Sequence, residues 1–300
     1  MATPDIIMPV ETTGEMPVVR TIRPADLKDV LSKGFDDFRA MPTHVIFLCL
    51  IYPIVGLLIG RASLGYDIVP LLYPLAAGFT ILGPIAAIGH YELSRRREAG
   101  LDTNWRHAFD ILYSPSLREI VWLALFLLLV FGVWIATANQ IYIANFGYGE
   151  PASWSAFARD VLGTPQGWNL MVWGNLAGLA FAVLTLAVSV VSAPLLLDRH
   201  VGVVAAMWTS VRVVAANPLT LALWGLIVAA GLALGFALFF FGLAVTVPIL
   251  GHSTWHLYRK AVEPDPHPRP DYRPRDSGIR YGADFPASLF AGYRKDTTRG

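Results

Sequence analysis

Long apolar runs alternate with short charged segments along this chain. A run of about 20 residues with almost no charge is long enough, as a helix, to cross a bilayer. The gaps between charges place such spans at 44–60, 68–91, 120–142 and 170–197. A last apolar stretch, 218–258, carries no acidic or basic side chain other than His252 and His256. As one helix it would run roughly 60 Å, about twice the hydrocarbon core. It therefore reads as two spans, 218–234 and 235–258, with a tight turn near "GLALG" (231–235).

The segments between spans have a pattern of their own. In "PADLKDVLSKGFDDFRAMP", Leu27, Val30, Leu31, Phe35, Phe38 and Met41 recur at helical period among charges. "LDTNWRHAFDILYSP" repeats it with Leu101, Trp105, Ala108, Phe109 and Leu112. "VGVVAAMWTSVRVVAANP" does so with Val201, Val204, Trp208, Val211 and Ala215. Each segment ends at a proline, Pro42, Pro115 or Pro218, which breaks a surface helix from the span that follows. The even-numbered spans also share an ending: "GPIAAIGH", "APLLLDRH" and "VPILGHSTWH" set a proline one to two turns before a histidine. The expected fold is thus an all-α polytopic membrane protein of six transmembrane helices, arranged as three repeats of an amphipathic helix plus a two-span hairpin. Residues 1–20 are expected to form a disordered N-terminal tail and 21–260 the membrane domain. The proline-rich "VEPDPHPRPDYRPRDSG" opens a disordered cytoplasmic tail over 261–300.

Charge decides the orientation. With six spans, 21 of the 23 Lys and Arg residues fall on the side of the termini, leaving Arg61 and Arg159 opposite. Five spans would divide them almost evenly. The excess of positive charge marks the cytoplasmic side, so both termini are expected there. About 40 mostly polar residues precede the first run, so that run is expected to be retained rather than cleaved as a signal peptide. The outer segment 143–168 carries Trp154, Phe157, Val161 and Leu162 at the spacing of a short helix lying on the outer interface.

Composition agrees with a membrane protein. Hydrophobic residues make up 55% of the chain and charged residues 15%, and mean hydropathy is +0.51. The net charge of +1 offers no basic field for nucleic acid. The one cysteine, Cys49, excludes an intrachain disulfide framework and a Cys-based zinc or iron–sulfur site.

The strings "TIRPADLKDVLSKGFDDFRAMP", "GPIAAIGHYELSRRREAG" and "APLLLDRHVGVVAAMWTSVRVVAANPLTLALWG" resemble a proteobacterial family of six-span proteins, the domain of unknown function 2189 family, from about residue 21 to residue 260. The resemblance implies an integral protein of the bacterial inner membrane. It implies no activity and no catalytic residues.

Candidate chemistry is sparse. His252 and His256 share one helix face at i, i+4, and His90 and His200 end two other spans. Imidazoles brought together in a bundle are candidate haem or metal ligands. The preferred reading is interfacial, because Trp255, Tyr258, Arg259 and Lys260 beside the pair form an aromatic and basic anchor. Trp105, Trp208 and the Arg95-Arg96-Arg97 cluster read as anchors too. The zinc-protease motif His-Glu-x-x-His is absent, as are a phosphate loop and a nucleophile elbow. Asp67, Glu92, Glu119 and Asp198 fall at span ends, which argues against an ion or proton path through the bilayer. Gly56/Gly60 and Gly174/Gly178 match the Gly-x-x-x-Gly spacing of close helix contacts.

The expected role is non-catalytic: a scaffold, assembly factor or accessory subunit whose partners are the lipid bilayer and other membrane proteins or a second copy. No cofactor and no nucleic acid are expected. The alternatives are a carrier for a small neutral or amphipathic solute, for which Pro74, Pro84, Pro194 and Pro248 are candidate kinks, and a haem or metal protein.

Overall fold

Uncharged apolar runs can satisfy their backbone polar groups in lipid only as helices, and helices dominate this chain. The computed structural model describes residues 16–41, 69–149, 151–238 and 242–265. Among the described residues, four helical stretches are long and apolar enough to cross a membrane: Val69–Glu98, Leu117–Phe146, Pro165–Asp198 and Pro218–Ala237. The expected first span, 44–60, lies outside the described residues. Among those residues the only strand-like pairing is one antiparallel bridge between Val19 and Val262.

The chain opens with α1 (Asp26–Ala40), whose N-terminal turn carries Asp26 and Asp29, favourable at the positive end of a helix dipole. Its buried residues are Leu27, Val30, Gly34 and Asp37, and that face packs on α11 (Leu243–Ala261). The backbones come unusually close: a Cβ on Gly34 would lie 2.7 Å from the Ser253 nitrogen.

The stretch Val69–Glu98 is broken repeatedly. A 3-10 turn (Val69–Leu71) leads into α2 (Leu72–Gly78), a second 3-10 turn (Phe79–Leu82), α3 (Gly83–Ala86) and α4 (Ile88–Glu98). Pro74, Pro84 and the glycines account for the breaks, since proline lacks the amide the ladder needs. A 3-10 helix, Trp105–Tyr113, then precedes α5 (Leu117–Phe146), which ends at Gly147 with φ of 74°. The expected outer helix is α6 (Trp154–Gly163), capped by the Ser153 hydroxyl. Its Trp154 and Leu162 are exposed, while Phe157 meets Tyr142 and Phe146.

Thr164 caps α7 (Pro165–Ser189), which breaks before α8 (Ser192–Asp198). Pro194 removes one ladder bond there. Ser189 and Ser192 donate back to the Thr185 and Val188 carbonyls at 2.6 and 2.5 Å, a habit that bends helices. Next come α9 (Val203–Ala216), α10 (Pro218–Ala237) and α11, which runs unbroken through Pro248.

Two boundaries differ from the sequence reading. The hairpin turn expected at 231–235 lies after Ala237 instead. Gly231 and Gly235 are inside α10 and face α11, where Cβ atoms would meet Leu250 at 3.3 Å and Leu243 at 2.5 Å. The glycines serve close helix packing, not chain reversal. The tails also begin further out than expected. Val18 and Arg20 pair with Glu263 and Ala261 through backbone bonds of 2.9 and 2.8 Å. Asn217 completes this strap: its side chain accepts from the Ile22 amide at 2.7 Å and donates to the Arg20 carbonyl at 3.1 Å. Thr220, one turn on, donates to the Ile22 carbonyl at 3.0 Å.

Burial is uneven along the helices. Rows of large apolar side chains on α5, α7 and α10, among them Leu125, Leu129, Trp173, Leu179 and Leu226, are exposed, as lipid-facing surface would be. The densest packing lies where α4, α8 and α11 converge, around Tyr91, Leu93, Leu195, Leu196, Leu197, Trp255, Leu257 and Tyr258.

Candidate functional site

Where α1, α4 and α11 meet, helical spacing stacks polar side chains on the buried faces. On α11, His252 and His256 are one turn apart. On α4, His90, Ser94 and Arg97 follow at i, i+4 and i+7, and α1 contributes Gly34 and Asp37. The Asp37 carboxylate, 4% exposed, is the hub. Ser94 donates to its Oδ2 at 2.6 Å, His256 Nε2 lies 2.8 Å from the same oxygen, and Arg97 bonds to Oδ1. Burial raises the Asp37 pKa, but the hydrogen bonds from His256, Ser94 and Arg97, with the charge attraction of His256, outweigh it and hold the carboxyl below its ordinary value.

Ser94 Oγ also lies 2.8 Å from His252 Nδ1. A hydroxyl has one proton to give. With that proton on Asp37, Ser94 must accept from His252, which assigns the Nδ1–H tautomer to His252 by bonding pattern. Nε2 of His252 is then an acceptor, and it is buried without a hydrogen-bond partner. The His90 ring stands edge-on to His252, with centroids 4.9 Å apart. This is not a hydrolytic triad. The hydroxyl sits between carboxylate and imidazole rather than at the far end of the imidazole, and the whole group is enclosed by three helices.

The four candidate histidines do not converge. His90 and His252 touch, and His256 reaches them through Asp37. His200 instead bonds to Ser116 Oγ at 3.0 Å. Among the described residues, no three His, Cys, Asp or Glu side chains are arranged to hold a metal ion.

The basic residues expected at the lipid interface are paired with acidic side chains. Arg95 makes two 2.8 Å bonds to Glu92, which is fully buried. Arg96 reaches Asp110 at 3.3 Å and Arg97 holds Asp37. Arg259 pairs with Glu98 at 2.9 Å and lies 3.6 Å from Asp198, and Lys260 pairs with Asp29 and Asp26 at 3.1 and 3.3 Å. Trp255 and Tyr258 are interior too: Trp255 donates to Glu98 at 2.9 Å and Tyr258 to Asp198 at 2.6 Å. Trp255 and Tyr258 are thus too buried to reach the headgroup boundary, and all seven residues act as cross-links, each with an acidic partner on another helix or one turn away. Trp105 and Trp208 do face outward.

Sequence reasoning missed Asp37, Ser94, Glu98 and Asp198 as bonding partners. For Asp37 a signal existed: Leu27, Val30, Gly34 and Asp37 share one helical face, so a carboxylate stands in the apolar stripe. Of the glycine pairs, a Cβ on Gly178 would lie 3.2 Å from the Trp134 ring on α5, while one on Gly174 would meet nothing within 4 Å. Gly56, Gly60, His44 and Cys49 lie outside the described residues.

Residues 72–198, from α2 to the end of α8, match the family described as "predicted integral membrane protein (DUF2189)". The match covers less than half of the chain and is narrower than the 21–260 of the sequence resemblance, but it includes His90, Ser94 and Arg97. The chain is therefore similar to an integral membrane family of unknown function over its central spans. No curated protein and no solved structure matches it.

Proposed function

We propose that this is a six-span protein of the bacterial inner membrane, with both termini cytoplasmic, that acts without catalysis as a scaffold, assembly factor or accessory subunit. The observation that carries the reading is the bonding of the cluster around Asp37. Its carboxylate, hydroxyl and guanidinium, and the imidazole of His256, are engaged in bonds between helices, and the arrangement fastens α1 across the ends of α4 and α11. Such a layer rigidifies one end of a bundle, and the outward faces left for partners are apolar.

The six-span count rests on the division of Lys and Arg and on the hairpin that α10 and α11 form. The repeat reading is supported by element order. A short amphipathic helix, a proline and a long apolar helix recur as Trp105–Tyr113, Pro115 and α5, and again as α9, Pro218 and α10. Reporter fusions at residue 150 and at the C-terminus should read opposite sides of the membrane. The same side for both would refute the topology.

Purification in mild detergent tests the role. The expected sample is colourless, free of stoichiometric metal, and accompanied by a membrane protein in fixed ratio. A Soret band or stoichiometric metal that disappears in His252→Ala would replace this reading with a cofactor protein. Solute flux into vesicles holding the purified chain would replace it with a carrier.

A further inference from the structure

Two of the three amphipathic segments are worn inside out. In the Trp105–Tyr113 helix, Asp110 is buried and bonds to Arg96, and His107 bonds to Asp110 and Asp102 at 2.7 and 3.0 Å. The apolar stripe points away from the protein: Phe109 is 49% exposed, and Trp105, Leu112 and Tyr113 are exposed with it. In α9 the inward residues are small or weakly polar, Ala206, Thr209, Ser210 and Val213, whereas Trp208 is 56% exposed and Val204 more so. Neither stripe is core, and neither polar face is turned to bulk water.

We propose that these two outward stripes lie in the bilayer interface, with lipid as their partner. Continuity with the spans points to lipid rather than a second protein. The first segment passes through Pro115 directly into α5, whose Val121, Trp122 and Leu125 are exposed. The second passes through Pro218 into α10 with exposed Leu219 and Leu223. Each stripe therefore extends a face already turned to the hydrocarbon. The aromatic ring of Trp105 with the Arg106 guanidinium 5.9 Å from its centroid is chemistry suited to the headgroup boundary. The third amphipathic helix, α1, differs in part: it buries Leu27 and Val30 on the face against α11, leaves Phe35 exposed, and turns Lys28, Lys33 and Asp36 outward. The inference stands apart from the scaffold reading, which could fail while these segments still lie in lipid.

The test uses the full chain in phosphatidylcholine nanodiscs, with Cys49 replaced by serine. One nitroxide-labelled cysteine is introduced in turn by Phe109→Cys, Trp208→Cys, Leu129→Cys and Lys33→Cys. The ratio of collisions with oxygen to collisions with a nickel chelate should be several-fold higher at 109 and 208 than at 33, and no higher than at 129. A ratio equal to that at 33 would overturn the proposal by placing the faces in water. Low access to both reagents would overturn it by covering them with protein. Quenching by brominated phosphatidylcholine, compared between the unlabelled wild-type chain and Trp208→Phe, reads the same face without a label. No brominated-lipid quenching assignable to Trp208 would also refute the proposal.

Discussion

Replacing Asp37 with alanine should free α1 from the bundle before anything else unfolds. The substitution removes one carboxylate and leaves the His256 Nε2, the Ser94 hydroxyl and the Arg97 guanidinium without their shared acceptor. Breaking a buried pair by deleting one partner costs roughly 3–5 kcal/mol. Arg97 is 41% exposed and can rehydrate, whereas Ser94 and His256 are far more enclosed. That exposure discounts the range to about 2–4 kcal/mol. Because every ~1.4 kcal/mol is a factor of ten, that is roughly a 30- to 700-fold loss of protection.

Amide hydrogen exchange in nanodiscs reads this locally. Protection should fall across α1, with far less change in α5 or α7. Asp29→Ala is the control. Asp29 pairs with Lys33 and Lys260 but is 46% exposed, so its removal should cost under about 1 kcal/mol. If Asp37→Ala loosens α1 no more than Asp29→Ala does, the clamp reasoning is refuted. A double change with His256→Ala should be less than additive, since each single change already orphans the other partner.

Protonation should act on the same clamp. The depressed Asp37 pKa means its contribution is complete above the unfolded value of about 3.9 and is lost as pH falls through the folded value. Protection in α1, taken relative to the intrinsic exchange rate at each pH, should therefore fall on the acid side below about pH 4, and Asp37→Asn should abolish that Asp37-dependent step. Gly34→Ala forces a methyl to within 2.7–2.8 Å of the Ser253 backbone, which no rotamer can relieve; a cost of about 1–3 kcal/mol should appear in thermal unfolding. Gly174→Ala meets open space and should be neutral or stabilising by up to about 1 kcal/mol in the same assay. Asn217→Ala releases the strap at residues 20–22, so limited trypsin should cut after Arg20 faster than in wild type, with α10 and α11 still intact.

Four apolar spans were legible in the sequence because lipid imposes a rule with few exceptions: long runs without charge. The order of short amphipathic segments, prolines and long helices followed from the same reading. What the pattern could not say is which way a stripe faces. A helical apolar stripe has two places to go in a membrane protein, the core and the lipid, and periodicity is identical for both. The burial of Trp255 and Tyr258, and the acidic partners of the neighbouring Arg and Lys residues, escaped the sequence for a related reason. An aromatic and basic cluster at a span end suits the headgroup boundary equally well whether or not acidic side chains from another helix reach it, and those partners, Glu98, Asp198 and Asp37, come from distant parts of the chain.

The opposite face carries the missing information. Behind the stripe of α9 stand Ala206, Thr209 and Ser210, small and uncharged, the kind of surface on which another helix can lie closely, and that face is the buried one. Behind the stripe of α1 stand Lys28, Lys33 and Asp36, which belong in water, and Leu27 and Val30 turn inward while Phe35 stays exposed. For the Trp105–Tyr113 helix even this test fails. Its polar face is charged, as that of α1 is, yet it turns inward because Arg96 on α4 and Asp102 meet Asp110 and His107 there. Only the fold brings Arg96 to that face, so the orientation of this segment is a tertiary fact that local pattern does not contain.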